Sequence, residues 1–416
     1  MIILTKENIT DYLKTKMPEL DYSKPLIISA VGEGSAEDDG DGFLNFVFRV
    51  SDGNHKLIVK QGLTHGRSTE KDFSLPTDRG RREFDSMKLR KSIVPNLLPD
   101  LYFCDDENFV FVTEDVSRLK IIRFQLNKGI MFPKFATQTA EYLAKTLFYT
   151  SEYYLDTKDF RELTVHFMNH RMRDIFDTNA FISKKTAEQV FGQPFDPQYE
   201  RFIKKLVFDP KVVLERYKLR HLFITKGEAL VHGDFHTSNV FIDQEEMKVI
   251  DMEYTFCGPL SYDIGYMQSH LLSQYASAAF RPFESEEMRK TFQAYILATM
   301  RELYLSFCDQ FIDCWNQDAK EIYQNIPQLQ ENFRKTILSE MTGFCGTSNM
   351  SRCSAPIGYP EYDIIKNPVQ KHNATCLSMF LDNRIIQRHE EYKDIDEFIN
   401  DIIAIEKIYK SNITEW

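Results

Sequence analysis

Residues 232–239 read His232-Gly233-Asp234-Phe235-His236-Thr237-Ser238-Asn239, and residues 249–253 read Val249-Ile250-Asp251-Met252-Glu253. Short apolar or β-branched pieces, Ala229-Leu230-Val231, Val240-Phe241-Ile242 and Val249-Ile250, alternate here with polar, turn-forming residues. Taken singly, each acid would be an ordinary solvated carboxylate. Set at the ends of buried-looking strands, they cost free energy unless something uses them. Phosphoryl transfer would use such a set. It needs a carboxylate beside the attacking hydroxyl, oxygen ligands for magnesium, and a cation on the nucleotide phosphates. Asp234 stands five residues before Asn239, so a tight loop can put the first on a hydroxyl and the second on a metal. Asp251 and Glu253 lie two apart at a strand end, and both reach one metal if the backbone bends there. Magnesium favours carboxylate and amide oxygens of this kind.

Upstream of this stretch the pattern is mostly β. A short amphipathic helix is predicted over 7–17, with Ile9, Tyr12, Leu13 and Met17 on one face. Alternating runs follow at Leu26-Ile27-Ile28, from Phe43 to Val50, and at Lys56-Leu57-Ile58-Val59-Lys60. A loop dense in Gly, Asp and Glu, from Gly32 to Gly42, separates the first two. A helix is predicted from Arg79 to Ser92, then strands from Leu98 to Cys104 and Phe109 to Thr113, and a break at Glu114-Asp115-Val116-Ser117. Beyond residue 119 helical periodicity dominates, over 134–154, 199–218 and 285–313. The pieces between 229 and 251 read as a compact hairpin-like insert in that helical part. The fold class expected is α+β, with a β-rich N-terminal lobe over 1–118 and a larger, mostly helical lobe over 119–416.

The bulk properties exclude several other classes. The 416 residues are 43% hydrophobic and 27% charged, with 33 Phe and 20 Tyr, which argues against extended disorder. The formal net charge is −11 and no Lys/Arg-rich run occurs, so nucleic acid is not expected as a partner. Apolar stretches fall short of the ~20 residues that span a bilayer, and the first residues lack the basic and apolar regions of a signal peptide. Seven cysteines at irregular spacing, with no C-x-x-C pair, predict neither a disulfide framework nor a zinc site. A cytosolic protein is the expectation.

The quoted stretches resemble the aminoglycoside-phosphotransferase and choline-kinase superfamily, relatives of the protein kinases whose signature is H-G-D-x-x-x-x-N followed by I-D-x-E/D. The resemblance implies a two-lobed, protein-kinase-like fold with ATP and Mg2+ as cofactors. It makes Lys60 the phosphate-binding lysine and Glu83, in Arg79-Gly80-Arg81-Arg82-Glu83, the acid that orients it. Within the superfamily the chain is most similar to the 5-methylthioribose kinase family. That likeness is carried by Asp41-Gly42-Phe43-Leu44-Asn45, Glu114-Asp115-Val116-Ser117-Arg118-Leu119-Lys120, Lys145-Thr146-Leu147-Phe148-Tyr149, Gly258-Pro259 and Asp263-Ile264-Gly265. It implies the 1-hydroxyl of 5-methylthioribose as acceptor, in methionine salvage, with Asp234 as base. It also implies Asn239, Asp251 and Glu253 at magnesium, and an adenine hinge from Glu114 to Val116. Gly42 and Asn45 would lie on the nucleotide side, Arg352 on the sugar, and His232 and Asp263 would brace the catalytic loop. A homodimer is implied as well.

Three departures from the family pattern stand out. Gly34-Ser35-Ala36-Glu37-Asp38-Asp39 looks like an acidic insertion that would repel phosphates if it pointed inward. Asn239 stands where the family often has Ser. Ser351 precedes Arg352 where the family has two adjacent arginines, and Ser deletes a fork of donors. The residues therefore leave open a kinase of the same fold acting on another small alcohol, such as choline, an amino sugar or a different sugar. They also leave open a non-catalytic nucleotide-binding relative. Elsewhere, His166, His170, Arg171 and Arg173 are expected on a solvated helix face. Phe280, Phe283, Phe292, Tyr295 and Leu297 are expected in the core, and Trp315 as a packed aromatic.

Overall fold

A computed structural model describes residues 1–33, 45–64, 75–181, 199–353 and 360–412. The chain is α+β and divides into two compact units. Unit 1 comprises Met1–Phe124, Asn169–Met172 and Ser238–Thr255. Unit 2 comprises Gln125–Met168, Arg173–Thr237 and Phe256–Trp416.

Unit 1 is built on an antiparallel sheet of β1 (Ile27–Ala30), β2 (Phe46–Ser51), β3 (Lys56–Gln61), β4 (Leu101–Asp105) and β5 (Val110–Glu114), in the order β1-β2-β3-β5-β4. The β2–β3 turn is set by Asp52, whose carboxylate accepts the amides of Asn54 and His55 at 2.8 and 2.6 Å, and by Gly53 at φ 98°. Val50, Leu57, Val59, Val110 and Val112 form one apolar face, closed by Ile9, Tyr12 and Leu13 of helix α1 (Ile9–Lys16) and by Met17 just beyond it. Each such buried aliphatic side chain contributes about 1.5–3 kcal/mol.

Helix α2 (Arg79–Ile93) ends where Val94-Pro95 forbids another turn. Its buried residues Arg79, Glu83, Met87 and Arg90 recur at helical spacing, so one face is inward. Three of those four are charged, which an ordinary core would not accept. A small sheet completes unit 1, with Val240–Ile242 paired to both Lys120–Ile121 and Met247–Val249.

Unit 2 is mostly helical: α3 (Phe135–Tyr149), α4 (Pro210–Thr225), α5 (Tyr262–Ala278), α6 (Glu286–Asp318), α7 (Pro327–Cys353), α8 (Pro368–Arg388) and α9 (Ile395–Ser411). Every residue of α5 is buried. Several of its polar side chains find partners inside: Gln268 donates to the Met300 carbonyl, Ser273 to the Glu361 carboxylate and Ser277 to the Glu361 carbonyl. Gly265 lets α7 approach closely, since a Cβ there would stand 2.8 Å from the Met341 carbonyl oxygen and the Phe344 Cβ.

Three sequence expectations are revised. The helical run over 199–218 is broken: Ile203–Val207 is a π-helical turn, and α4 starts afresh at Pro210. Pro210 has no amide to continue the earlier helix, and Asp209 caps the new one by accepting from Lys211 at 2.8 Å. The pieces from 229 to 251 do not form one insert. Ala229–Val231 pairs with Phe256–Gly258 in unit 2, whereas Val240–Ile242 and Met247–Val249 belong to unit 1. Of the four residues expected on a solvated helix face, His166, His170 and Arg171 are exposed, whereas Arg173 is half-buried: its guanidinium lies 4.4 Å from the Phe256 ring centroid and donates to the Phe223 and Ile224 carbonyls. The core expectation holds for Phe292 and Leu297. Trp315 is packed as expected, 1% exposed, its indole N–H on the Tyr323 carbonyl.

Candidate active site

The charged face of α2 explains itself in unit 1. Lys60, next to last in β3, is 8% exposed, and its Nζ lies 2.7 Å from the Glu83 carboxylate and 2.6 Å from Asp251 Oδ1. Glu253 Oε2 accepts from Asn45 Nδ2 at 2.9 Å and lies 3.3 Å from Arg79 Nε. The fully buried Arg79 also donates to Asn45 Oδ1, the Leu63 carbonyl and the Pro76 carbonyl at 2.9, 2.7 and 2.9 Å. Both ends of the Asn45 amide are thus committed. Asn169 holds the chain behind the acids, its Nδ2 donating to the carbonyls of Glu253 and Thr255 at 2.7 and 3.1 Å.

Asp251 adopts φ 66°, in the left-handed region, two residues after Val249 ends its strand. Aspartate tolerates that conformation better than most side chains. Asp251 and Glu253 lie beyond the strand, and the bend falls within the segment that brings both into one cluster with Lys60 and Arg79. Asn239 sits nearby in the same unit, 5% exposed, its carbonyl accepting the Ile250 amide at 3.0 Å.

The cluster carries an electrostatic imbalance. Three carboxylates (Glu83, Asp251, Glu253) face two cations (Lys60, Arg79), a formal charge of −1. Burial works against the Lys60 ammonium, but Asp251, Glu83 and Glu253 more than offset it and hold its pKa above the ordinary value. Burial pushes the Glu83 carboxyl up to about 8 against the pull of Lys60, with Asp251 and Glu253 adding repulsion. The Glu253 carboxyl is raised for the same leading reason, burial. The carboxylate oxygens of Asp251 and Glu253 are of the kind that magnesium takes, and Lys60, Arg79 and Asn45 hold them here. Of the three acids only Asp251 retains appreciable exposure, 27% of its side chain, against 3% for Glu83 and 4% for Glu253. Also in unit 1, Glu114 closes β5 with Oε2 accepting the Asp100 amide at 3.1 Å, and Val116 is buried just beyond it.

Unit 2 holds the His232-Gly233-Asp234 loop. The Asp263 carboxylate accepts the amides of His232 at 2.6 Å and Gly233 at 3.0 Å, and Gly233 takes φ 86°. The His232 Nδ1 accepts the Asp234 amide at 3.3 Å. Phe235 is fully buried and stacks on Tyr142 at 5.1 Å, pinning the loop from the other side. His236 Nε2 lies 3.4 Å from Asp234 Oδ2. Burial opposes ionisation of Asp234, yet His236, His232 and Arg352 outweigh it and hold the carboxyl below its ordinary value. At neutral pH Asp234 is therefore an anion, the form that accepts a proton. Arg352, near the end of α7, lies with its Nη1 3.2 Å from His270 Nε2. Ser351 beside it accepts from Arg216 of α4 at 2.7 Å.

The structure thus gathers Asn45, Lys60, Glu83, Asp251 and Glu253 in unit 1, and His232, Asp234, Asp263 and Arg352 in unit 2. Gly42 and the acidic run 34–39 fall outside the described residues. Sequence reasoning passed over Arg79, Asn169 and His270. Arg79 was findable, because it precedes Glu83 by four residues and so shares its helix face. Asn169 and His270 act across long sequence distances and left no local signal. Among the described residues no helix is long and apolar enough to cross a membrane.

Residues 193–305 match the phosphotransferase enzyme family APH. The chain is 29% identical over 364 residues to a methylthioribose kinase of Geobacillus sp. strain WCH70, covering 86% of this chain and 87% of that one. It is 28% identical over 372 residues to a methylthioribose kinase of Bacillus pumilus, covering 88% and 89%. Among solved structures, a choline/ethanolamine kinase family protein from Mesorhizobium loti is 14% identical with TM-score 0.43, covering 96% of this chain and 99% of that one.

Proposed function

We propose that this chain, a phosphotransferase homologous to methylthioribose kinases along most of its length, moves the γ-phosphoryl group of ATP to the 1-hydroxyl of 5-methylthioribose, a step of methionine salvage. A bond forms between the sugar 1-oxygen and the γ-phosphorus. The bond from that phosphorus to the β,γ-bridging oxygen breaks, and ADP leaves. The hydroxyl proton passes to Asp234 and then to water. The observation that carries the reading is the three-way tether of Lys60, Glu83 and Asp251.

Each residue has a task set by its surroundings. Lys60 would bind the phosphates as a point charge, aimed by Glu83, which sits too deep to be solvated away. Asp234, ionised and fixed by a loop whose amides end on Asp263, would orient the hydroxyl and take its proton late, as a loose phosphoryl transition state requires. Arg352 would hold the sugar side. Asp251 and Asn239 would hold Mg2+, with Glu253 adding charge behind them while it keeps Arg79 and Asn45. That ion would neutralise charge on the transferring group. Glu114 to Val116 would meet the adenine.

The test is ADP release by the purified chain with ATP and Mg2+ against 5-methylthioribose, ribose, glucosamine and choline. Turnover should depend on 5-methylthioribose. A strong preference for another acceptor would reassign the sugar. No acceptor-dependent ADP, with ATP still bound, would leave a non-catalytic nucleotide binder.

A further inference from the structure

We infer that His270 is a positioning residue that holds Arg352 at its working place beside Asp234, and that it does so as a neutral ring with the proton on Nδ1. The inference deepens the reading of Arg352 as a sugar-side cation and rests on it. His270 lies on α5, is 0% exposed, and meets Arg352 Nη1 at Nε2, 3.2 Å away. A guanidinium has donors only, so Nε2 must present its lone pair. The ring proton is then on Nδ1, which lies 3.4 Å from Thr237 Oγ1. The ring is packed against two others. It stacks on His236 at 5.2 Å and meets Tyr266 edge-on at 5.2 Å. His236 in turn meets Asp234, its Nε2 3.4 Å from Asp234 Oδ2, and Arg352 is among the charges that depress the Asp234 pKa.

The choice of a neutral acceptor has a consequence. A carboxylate at this place would orient Arg352 equally well but cancel its charge. An imidazole lone pair orients the guanidinium and leaves its full charge for Asp234 and for the acceptor's oxygens. Arginine side chains carry about 2 kcal/mol of rotamer entropy. Fixing one beforehand lowers the cost of binding the sugar. The effect should therefore fall on the acceptor and not on ATP.

The experiment uses the complete chain with ATP and Mg2+. His270→Leu should raise KM for 5-methylthioribose about ten- to a hundredfold, as loss of a hydrogen bond to a charged group predicts, with KM for ATP within about twofold of wild type. His270→Gln, whose Oε1 can stand where Nε2 stood, should return KM for the sugar to within about threefold. In an Arg352→Gln background, His270→Leu should add nothing further. Equal losses in both His270 variants, or a matching rise in KM for ATP, overturn the inference. Ring 15N NMR of His270 in the unliganded protein should report the neutral Nδ1–H tautomer at pH 7. An Nε2–H or doubly protonated ring overturns it too. If 5-methylthioribose is not a substrate, the acceptor reading fails, and the NMR measurement still decides the state of His270.

Discussion

Arg79→Met is the sharpest test of how the nucleotide-side cluster is held together. The substitution keeps length and apolar stem but removes the guanidinium paired with Glu253, taking the formal charge of the cluster from −1 to −2. At 3.3 Å and an effective dielectric near 20, the Arg79–Glu253 attraction is about 5 kcal/mol before desolvation is subtracted. Breaking a buried pair from one side costs about 3–5 kcal/mol, because the remaining charge stays buried. On the scale of a 150–250-residue domain that lowers Tm by about 6–20 °C. The loss should also depend on pH. The Glu83 carboxyl sits near 8 in the folded chain against an ordinary 4.5, so its contribution is fully present below about 4.5 and is lost as pH rises through about 8. Removing Arg79 adds to the same repulsion, so the variant should suffer more at pH 8.5 than at pH 5. The assay is urea unfolding of both proteins at those two values, with unchanged slope m. Glu253→Gln in the variant should restore about 1–3 kcal/mol. A loss below about 1 kcal/mol, or no rescue by Glu253→Gln, would refute the account.

Other outcomes follow from the same geometry. Asp234→Asn should lower kcat by about 10²–10⁴ while ATP binding, read by calorimetry, persists; near-normal turnover would remove Asp234 as base. Because the Asp234 carboxyl is held below its usual value, its active anionic form is lost only as pH falls through that lowered value. The pH profile of kcat/KM should thus stay flat on the acid side from about 8 down to about 5, and an acid inflection near 6.5 would contradict this. Gly265→Ala should destabilise by about 1–3 kcal/mol through the α5–α7 contact, checked by thermal unfolding, and wild-type stability would show that the helices part freely.

Much of this was legible in the residues, for reasons that differ from place to place. The strands around Lys60 and the helix carrying Glu83 announce themselves by period, and observed boundaries such as Lys56–Gln61 and Arg79–Ile93 differ from the reading by one residue. Asp234, Asn239, Asp251 and Glu253 were conspicuous because acids and amides beside apolar strands need a use. Periodicity failed at 199–218, where an apolar stripe continues through Asp209-Pro210 although the backbone cannot. It failed again at 229–251, since pairing partners such as Lys120–Ile121 lie over a hundred residues upstream of Val240–Ile242. Separations of 82 and 84 residues likewise hid Arg352 from His270 and Asn169 from Glu253. A sequence shows which side chains want a partner, but not the remote one that the fold delivers.

The left-handed backbone at Asp251 narrows what evolution or a protein engineer can place there. Only Gly, Asn and Asp enter that region readily, and other L-residues lose about 1–2 kcal/mol in doing so. An alanine scan would therefore report a folding defect at 251 and disguise it as lost chemistry. Asn is the informative replacement, because it keeps the bend and removes only the charge. A saturation library should accordingly show a tolerance profile at 251 filtered first by backbone shape and only then by activity.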